Sequence, residues 1–115
     1  MMNELKRMLG MESAPEADFC ELVKCGAVIL DVRSEGEYAG GHVSGSVNIP
    51  VDRLGNSLQK LEDKSQPVIT CCASGVRSEK ARRILLSCGY STVHNGGGWH
   101  SLNQKIKGEN NEPLL

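Results

Sequence analysis

The chain has 115 residues, a formal net charge of −1 from 13 basic and 14 acidic side chains, and 3% aromatic residues. That length supports one core and not two, and a near-neutral, interspersed charge with few aromatics excludes a basic or base-stacking nucleic-acid surface. No apolar run approaches the length of a membrane span, and Met1 to Gly10 lacks the unbroken apolar centre of a signal peptide.

Met2 to Leu9 reads as a short helix with Leu5, Met8 and Leu9 on one face. Ser13-Ala14-Pro15-Glu16 reads as a capping box that opens a helix, with Ser13 as N-cap, Phe19, Leu22 and Val23 as its buried stripe and Gly26 as its stop. Val28-Ile29-Leu30-Asp31-Val32 is the strongest strand signal, and its unbroken apolar character predicts a central parallel strand. Asp31 interrupts that run and needs partners, because a buried unpaired carboxylate is costly. Ser34 with Glu37 makes a second capping box, for a helix of one or two turns ending at Gly40-Gly41, with His42 just beyond.

Val47 to Ile49 is a short strand closed by Pro50. Leu54, Leu58 and Leu61 mark another helix, weakened at Gly55. Pro67 then introduces Val68 to Cys71, a strand buried on both faces. From Ser78 the period changes to that of a helix, with Ala81, Ile84, Leu85 and Cys88 on one face, Lys80, Arg82 and Arg83 on the other, and Gly89 as an αL cap. Thr92 to His94 is the last strand. Asn95-Gly96-Gly97-Gly98 reads as a flexible turn leading into Trp99, and the polar chain from Lys105 onward reads as frayed. The predicted organisation is an N-terminal segment (1–12), one domain (13–104) and a tail (105–115).

Strands alternating with helices through short loops predict an α/β fold: an open parallel sheet of five (or four) strands with helices on both faces. Ligands of such sheets bind beyond the carboxyl ends of the strands. Cys72 stands there, in a tight glycine-containing loop that leads into a helix. The loop aims backbone N–H groups and the positive end of the helix dipole at one concavity. Those groups, with Arg77 five positions on, lower the pKa of a thiol and make an activated thiolate without a histidine base. The alternative is that Cys72 is a small packed hydrophobe and Arg77 a solvated helix residue. The order strand, Cys, Gly-containing loop, Arg, helix favours the thiolate. Gly96 to Trp99 follows a strand in the same sense, and is either the rim of this pocket or a plain turn. The five cysteines, Cys20, Cys25, Cys71, Cys72 and Cys88, form no Cys-x-x-Cys pair. That spacing opposes a zinc ribbon or a thioredoxin-type motif and suits a reducing cytoplasm.

Cys72-Ala73-Ser74-Gly75-Val76-Arg77-Ser78 resembles the Cys-x-x-Gly-x-Arg-Ser loop of rhodanese-like sulfurtransferases. Leu30-Asp31-Val32-Arg33 with Glu37, then Gly41-His42-Val43-x-Gly45-Ser46-x-Asn48-Ile49-Pro50, is similar to that family's upstream motifs. Gly89-Tyr90 and Gly96-Gly97-Gly98-Trp99 are similar to its closing segment. Roughly residues 13 to 104 are covered. The resemblance implies a rhodanese-like sheet and an enzyme that carries sulfane sulfur as a persulfide on Cys72. Ala73, Ser74, Gly75, Val76, Arg77 and Ser78 would bind the substrate, and Asp31, Arg33 and His42 would support the loops. It further implies a small anionic sulfur donor, a thiol or protein acceptor, and no metal or organic cofactor. Two other classes share parts of this plan: a cysteine phosphatase or arsenate reductase, and a non-catalytic or redox-sensing module using Cys71 and Cys72.

Overall fold

The computed structural model describes residues 17–111. Among them, four strands, β1 (Val28–Asp31), β2 (Val47–Asn48), β3 (Val68–Cys72) and β4 (Val93–Gly98), form one parallel sheet in the order β2-β1-β3-β4. Helices α1 (Phe19–Lys24), α2 (Glu35–Ala39), α3 (Val76–Ser87) and α4 (Trp99–Asn111) connect and flank the strands, and the described residues hold the smaller of the two predicted strand numbers.

The two faces of the sheet bury different sets of side chains. Leu30, Val68 and Cys72 pack with Leu54, Leu61, Ala81, Leu85 and Tyr90 on the α3 side. Ile29, Ile69 and Cys71 pack with Phe19, Val43 and Leu102 on the α1 and α4 side. Successive side chains of a strand point to opposite faces. This is why Val68–Cys72 is buried throughout and why Cys71 and Cys72 belong to different cores.

Several boundaries differ from those the sequence suggests. Helix α1 begins at Phe19, and its N-cap is Asp18, whose carboxylate accepts from the Glu21 N–H at 3.0 Å. The Ser13 capping box and the Met2–Leu9 helix lie outside the described residues. The stretch with Leu54, Leu58 and Leu61 forms two 3₁₀ segments, Val51–Asn56 and Leu58–Leu61, which still bury Leu54 and Leu61. The glycines of Asn95–Gly98 belong to β4 and not to a turn. A Cβ on Gly96 would lie 2.8 Å from Ile69 Cγ2 and 2.9 Å from the Thr70 carbonyl oxygen, so β4 can approach β3 here only because Gly96 has no side chain. The register between β3 and β4 shifts between Thr70 and Cys72, and Gly97, at φ +81°, takes up this bulge. Helix α4 continues to Asn111, past Lys105, where the polar composition suggests fraying.

Ser34 and Glu37 do form the reciprocal capping box at the start of α2, and Gly89, at φ +97°, follows the end of α3. No helix among the described residues is long and apolar enough to cross a membrane.

Candidate active site

Strand β3 ends at Cys72, and α3 starts only four residues later, at Val76. Gly75 makes the turn. Its φ of +104° lies in the left-handed region, where a side chain would be strained, and it serves as the N-cap of α3. In this conformation the Gly75 N–H points back at Cys72 Sγ at 3.0 Å, and the Ser78 N–H reaches the same atom at 3.3 Å. Ser78 Oγ lies 3.5 Å from Sγ. Cys72 is 1% exposed, so its sulfur sits on the floor of a cradle made of amide groups at a helix N-terminus.

Burial pushes the Cys72 thiol up. Hydrogen bonding with the side chain and backbone of Ser78 and with the amides of Gly75 and Ser74 more than offsets this and holds it below the ordinary thiol value. Cys71, one residue earlier, has no such donors. Burial and the nearby Asp31 carboxylate push its thiol up to about 12, against the opposing pull of Arg33. Cys72 is therefore the sulfur of the pair that can ionise.

Asn95 braces the loop from β4. Its Nδ2 donates to the Gly75 carbonyl and to Glu79 Oε1, both at 3.2 Å, while its Oδ1 accepts from the Ser78 hydroxyl at 2.6 Å and from the Gly97 N–H at 2.9 Å. Sequence reasoning does not find Asn95, since nothing local marks an asparagine in a glycine run as a partner of a loop 17 residues earlier.

Arg77 is held by Glu37. Its guanidinium forms a two-pronged pair with Glu37 of α2, Nη1 to Oε1 at 2.8 Å and Nη2 to Oε2 at 3.1 Å. Hydrogen bonding to Glu37 raises the Arg77 pKa above its ordinary value, so the guanidinium stays charged. Sequence reasoning assigns Arg77 as the activating cation, whereas in the structure the hydrogen bonds to Sγ come from Gly75 and Ser78.

Asp31 and Arg33 form a buried pair beside Cys71, with Nη2 to Oδ2 at 2.7 Å. Arg33 also donates to the Gly41 carbonyl at 2.7 Å and lies 4.7 Å from the Trp99 ring centre. The pair thus ties the end of β1 to the α2 loop and to the start of α4. His42 is exposed, stacks on Tyr38 at 3.7 Å and places Nδ1 2.7 Å from the Tyr38 carbonyl oxygen. Beside the cradle, a cleft of ≈ 700 Å³ is lined by Phe19, Ser74, Gly75, Val76, Gly96 and Lys105 among others. Val76 is 75% exposed at its edge.

The family model described as Rhodanese-like domain matches residues 16–105. The chain is 35% identical over 81 residues to the thiosulfate sulfurtransferase PspE of Escherichia coli strain K12, covering 69% of this chain and 78% of that one. It is 31% identical over 101 residues to the thiosulfate sulfurtransferase GlpE of Pseudomonas fluorescens, covering 88% and 86%. The crystal structure of a rhodanese-like domain protein from Staphylococcus aureus superposes with a TM-score of 0.60 at 32% identity, covering 87% and 85%. Other relatives are longer. The chain spans 64% of the uncharacterised protein YqhL of Bacillus subtilis and 22% of a tRNA uridine(34) hydroxylase of Hamiltonella defensa.

Proposed function

The chain belongs to the rhodanese-like domain family, and from that premise we propose that it is a sulfurtransferase moving sulfane sulfur through a persulfide on Cys72. The observation that carries this reading is the pair of amides, Gly75 N–H at 3.0 Å and Ser78 N–H at 3.3 Å, that converge on Cys72 Sγ. Donors fixed in this way stabilise a negative sulfur without reorganising during the reaction.

In the first half-reaction the Cys72 thiolate attacks the outer sulfur of a small anionic donor such as thiosulfate. A bond forms between Sγ and that sulfur, the donor's S–S bond breaks, and the electron pair leaves with sulfite. The new persulfide keeps its negative charge on the terminal sulfur, above the floor of the cradle and among the N–H groups of residues 73–78. In the second half-reaction a thiol, an acceptor protein or, in an assay, cyanide attacks that terminal sulfur and returns Cys72 as thiolate. Ala73, Ser74 and Val76 line the path, and Ser78 and Gly75 bind the sulfur. Asp31, Arg33 and His42 support the surrounding loops. Residues 13–104 would act as one unit, in a reducing cytoplasm that keeps Cys72 a thiol.

Four residues, Ala73 to Val76, separate Cys72 from Arg77. Cysteine phosphatases, which share this general plan, place five residues there and so form a wider ring for a phosphoryl group. The narrow ring and the buried sulfur favour a slender, end-on donor. The protein is expected to catalyse thiosulfate:cyanide sulfur transfer and not to hydrolyse p-nitrophenyl phosphate. Phosphatase turnover that disappears in Cys72→Ser would overturn this reading.

A further inference from the structure

Arginines around the loop are matched by carboxylates. Arg33 pairs with Asp31 at 2.7 Å, Arg77 with Glu37 at 2.8 Å, and Arg82 and Arg83 with Glu79 at 2.9 and 3.2 Å. Lys80 stands on the outer flank of the loop with Val76, Glu79 and Arg83. Of these pairs, Arg77–Glu37 joins the loop to α2 across 40 residues of sequence. The Glu37 carboxylate is fixed from both sides. Its Oε1 accepts from the Ser34 N–H at 2.9 Å as well as from Arg77, so it cannot swing aside without giving up the cap of α2.

An anionic donor approaching Arg77 therefore meets a guanidinium whose two terminal nitrogens already hold a carboxylate. It also meets the negative charge of Glu37 and that of the Cys72 thiolate. Each further negative charge on the donor raises the cost of that approach. We infer that Glu37 is a positioning residue that acts through Arg77 to set donor choice, disfavouring a dianion such as thiosulfate against a donor with one negative charge. The inference rests on the proposed Cys72 persulfide chemistry and names its donor class. A thiosulfonate is such a donor: it delivers the same outer sulfur to Sγ, and its S–S bond breaks to release a sulfinate monoanion in place of sulfite.

The test compares kcat/KM for thiosulfate and for methanethiosulfonate, at low salt, in wild type, Glu37→Gln and Glu35→Gln. Glutamine at 37 keeps an oxygen for the Ser34 N–H and so preserves the cap. Glu35 lies on the same helix, pairs with Arg53 at 2.8 Å and serves as the control for a change in the general field. The thiosulfate-to-thiosulfonate ratio should rise roughly two- to fivefold in Glu37→Gln, as expected for one exposed charge near the donor, and the rise should shrink with added salt. It should hold its wild-type value in Glu35→Gln. An unchanged or lower ratio in Glu37→Gln, or an equal rise in both variants, overturns the role of Glu37 while leaving the persulfide chemistry standing. Failure of wild type to form a persulfide with either donor overturns both.

Discussion

Cys71 and Cys72 are neighbours in β3 with opposite fates, because alternation along the strand puts them in different cores. Amides and a hydroxyl surround Cys72 and hold its thiol below the ordinary value, while burial and Asp31 push Cys71 up to about 12. The difference in thiolate ultraviolet absorbance between wild type and Cys72→Ser should therefore show one group titrating below the unperturbed thiol value of about 8.5. A midpoint at or above that value would remove the proposed activation. Cys71→Ala should retain sulfur transfer and lose stability by about 1 kcal/mol or somewhat more, read as a lower urea midpoint, because it empties part of a packed core. The cysteine, the loop glycine and the arginine are legible in the sequence, since they lie within six residues and each follows from local chemistry. The partner of Arg77 is not, because Glu37 belongs to another helix and its capping role already accounts for it.

At the scale of elements, β1, β3 and α3 are legible because their apolar patterns are strong and continuous, and α2 because its capping box is local. The start of α1 is set by Asp18, whose carboxylate caps it. Of β4 only the first residues, Val93 and His94, are legible, and the glycine-rich remainder is not. Glycines oppose a strand by propensity, and here they are tolerated because the backbone of β3 and the side chains of Ile69 and Leu102 leave no room for anything larger. Asn95, which braces the cradle, is hidden in the same run. Gly96→Ala should consequently destabilise the fold by about 1–3 kcal/mol, through overpacking against Ile69 and the Thr70 carbonyl. A melting temperature equal to that of wild type would mean that β4 does not lie this close to β3.

Over the whole molecule, a sheet with a core on each face supplies the rigid frame, and exposed ion pairs tie its loops and helix ends together. Hydrogen bonds from Arg77 and the Ser34 backbone hold the Glu37 carboxyl down to about 2, and Arg82 leads the groups that hold Glu79 down to about 2. A carboxyl depressed on folding contributes stability above its unfolded value of about 4.3, and that contribution is lost as pH falls through the folded value. Chemical denaturation should accordingly show stability falling between pH about 4.3 and about 2. The fall should be shallower in Glu79→Gln, and an equal slope in that variant would mean that the Arg82 pair contributes nothing.

The central claim, that Cys72 carries the sulfur, is tested most directly by the intact mass of the protein after thiosulfate treatment. Wild type is expected to gain the mass of a single sulfur that cyanide then removes, and Cys72→Ser to gain none. A gain of sulfur that persists in Cys72→Ser, or a loss of two hydrogens in wild type with no sulfur added, would contradict it.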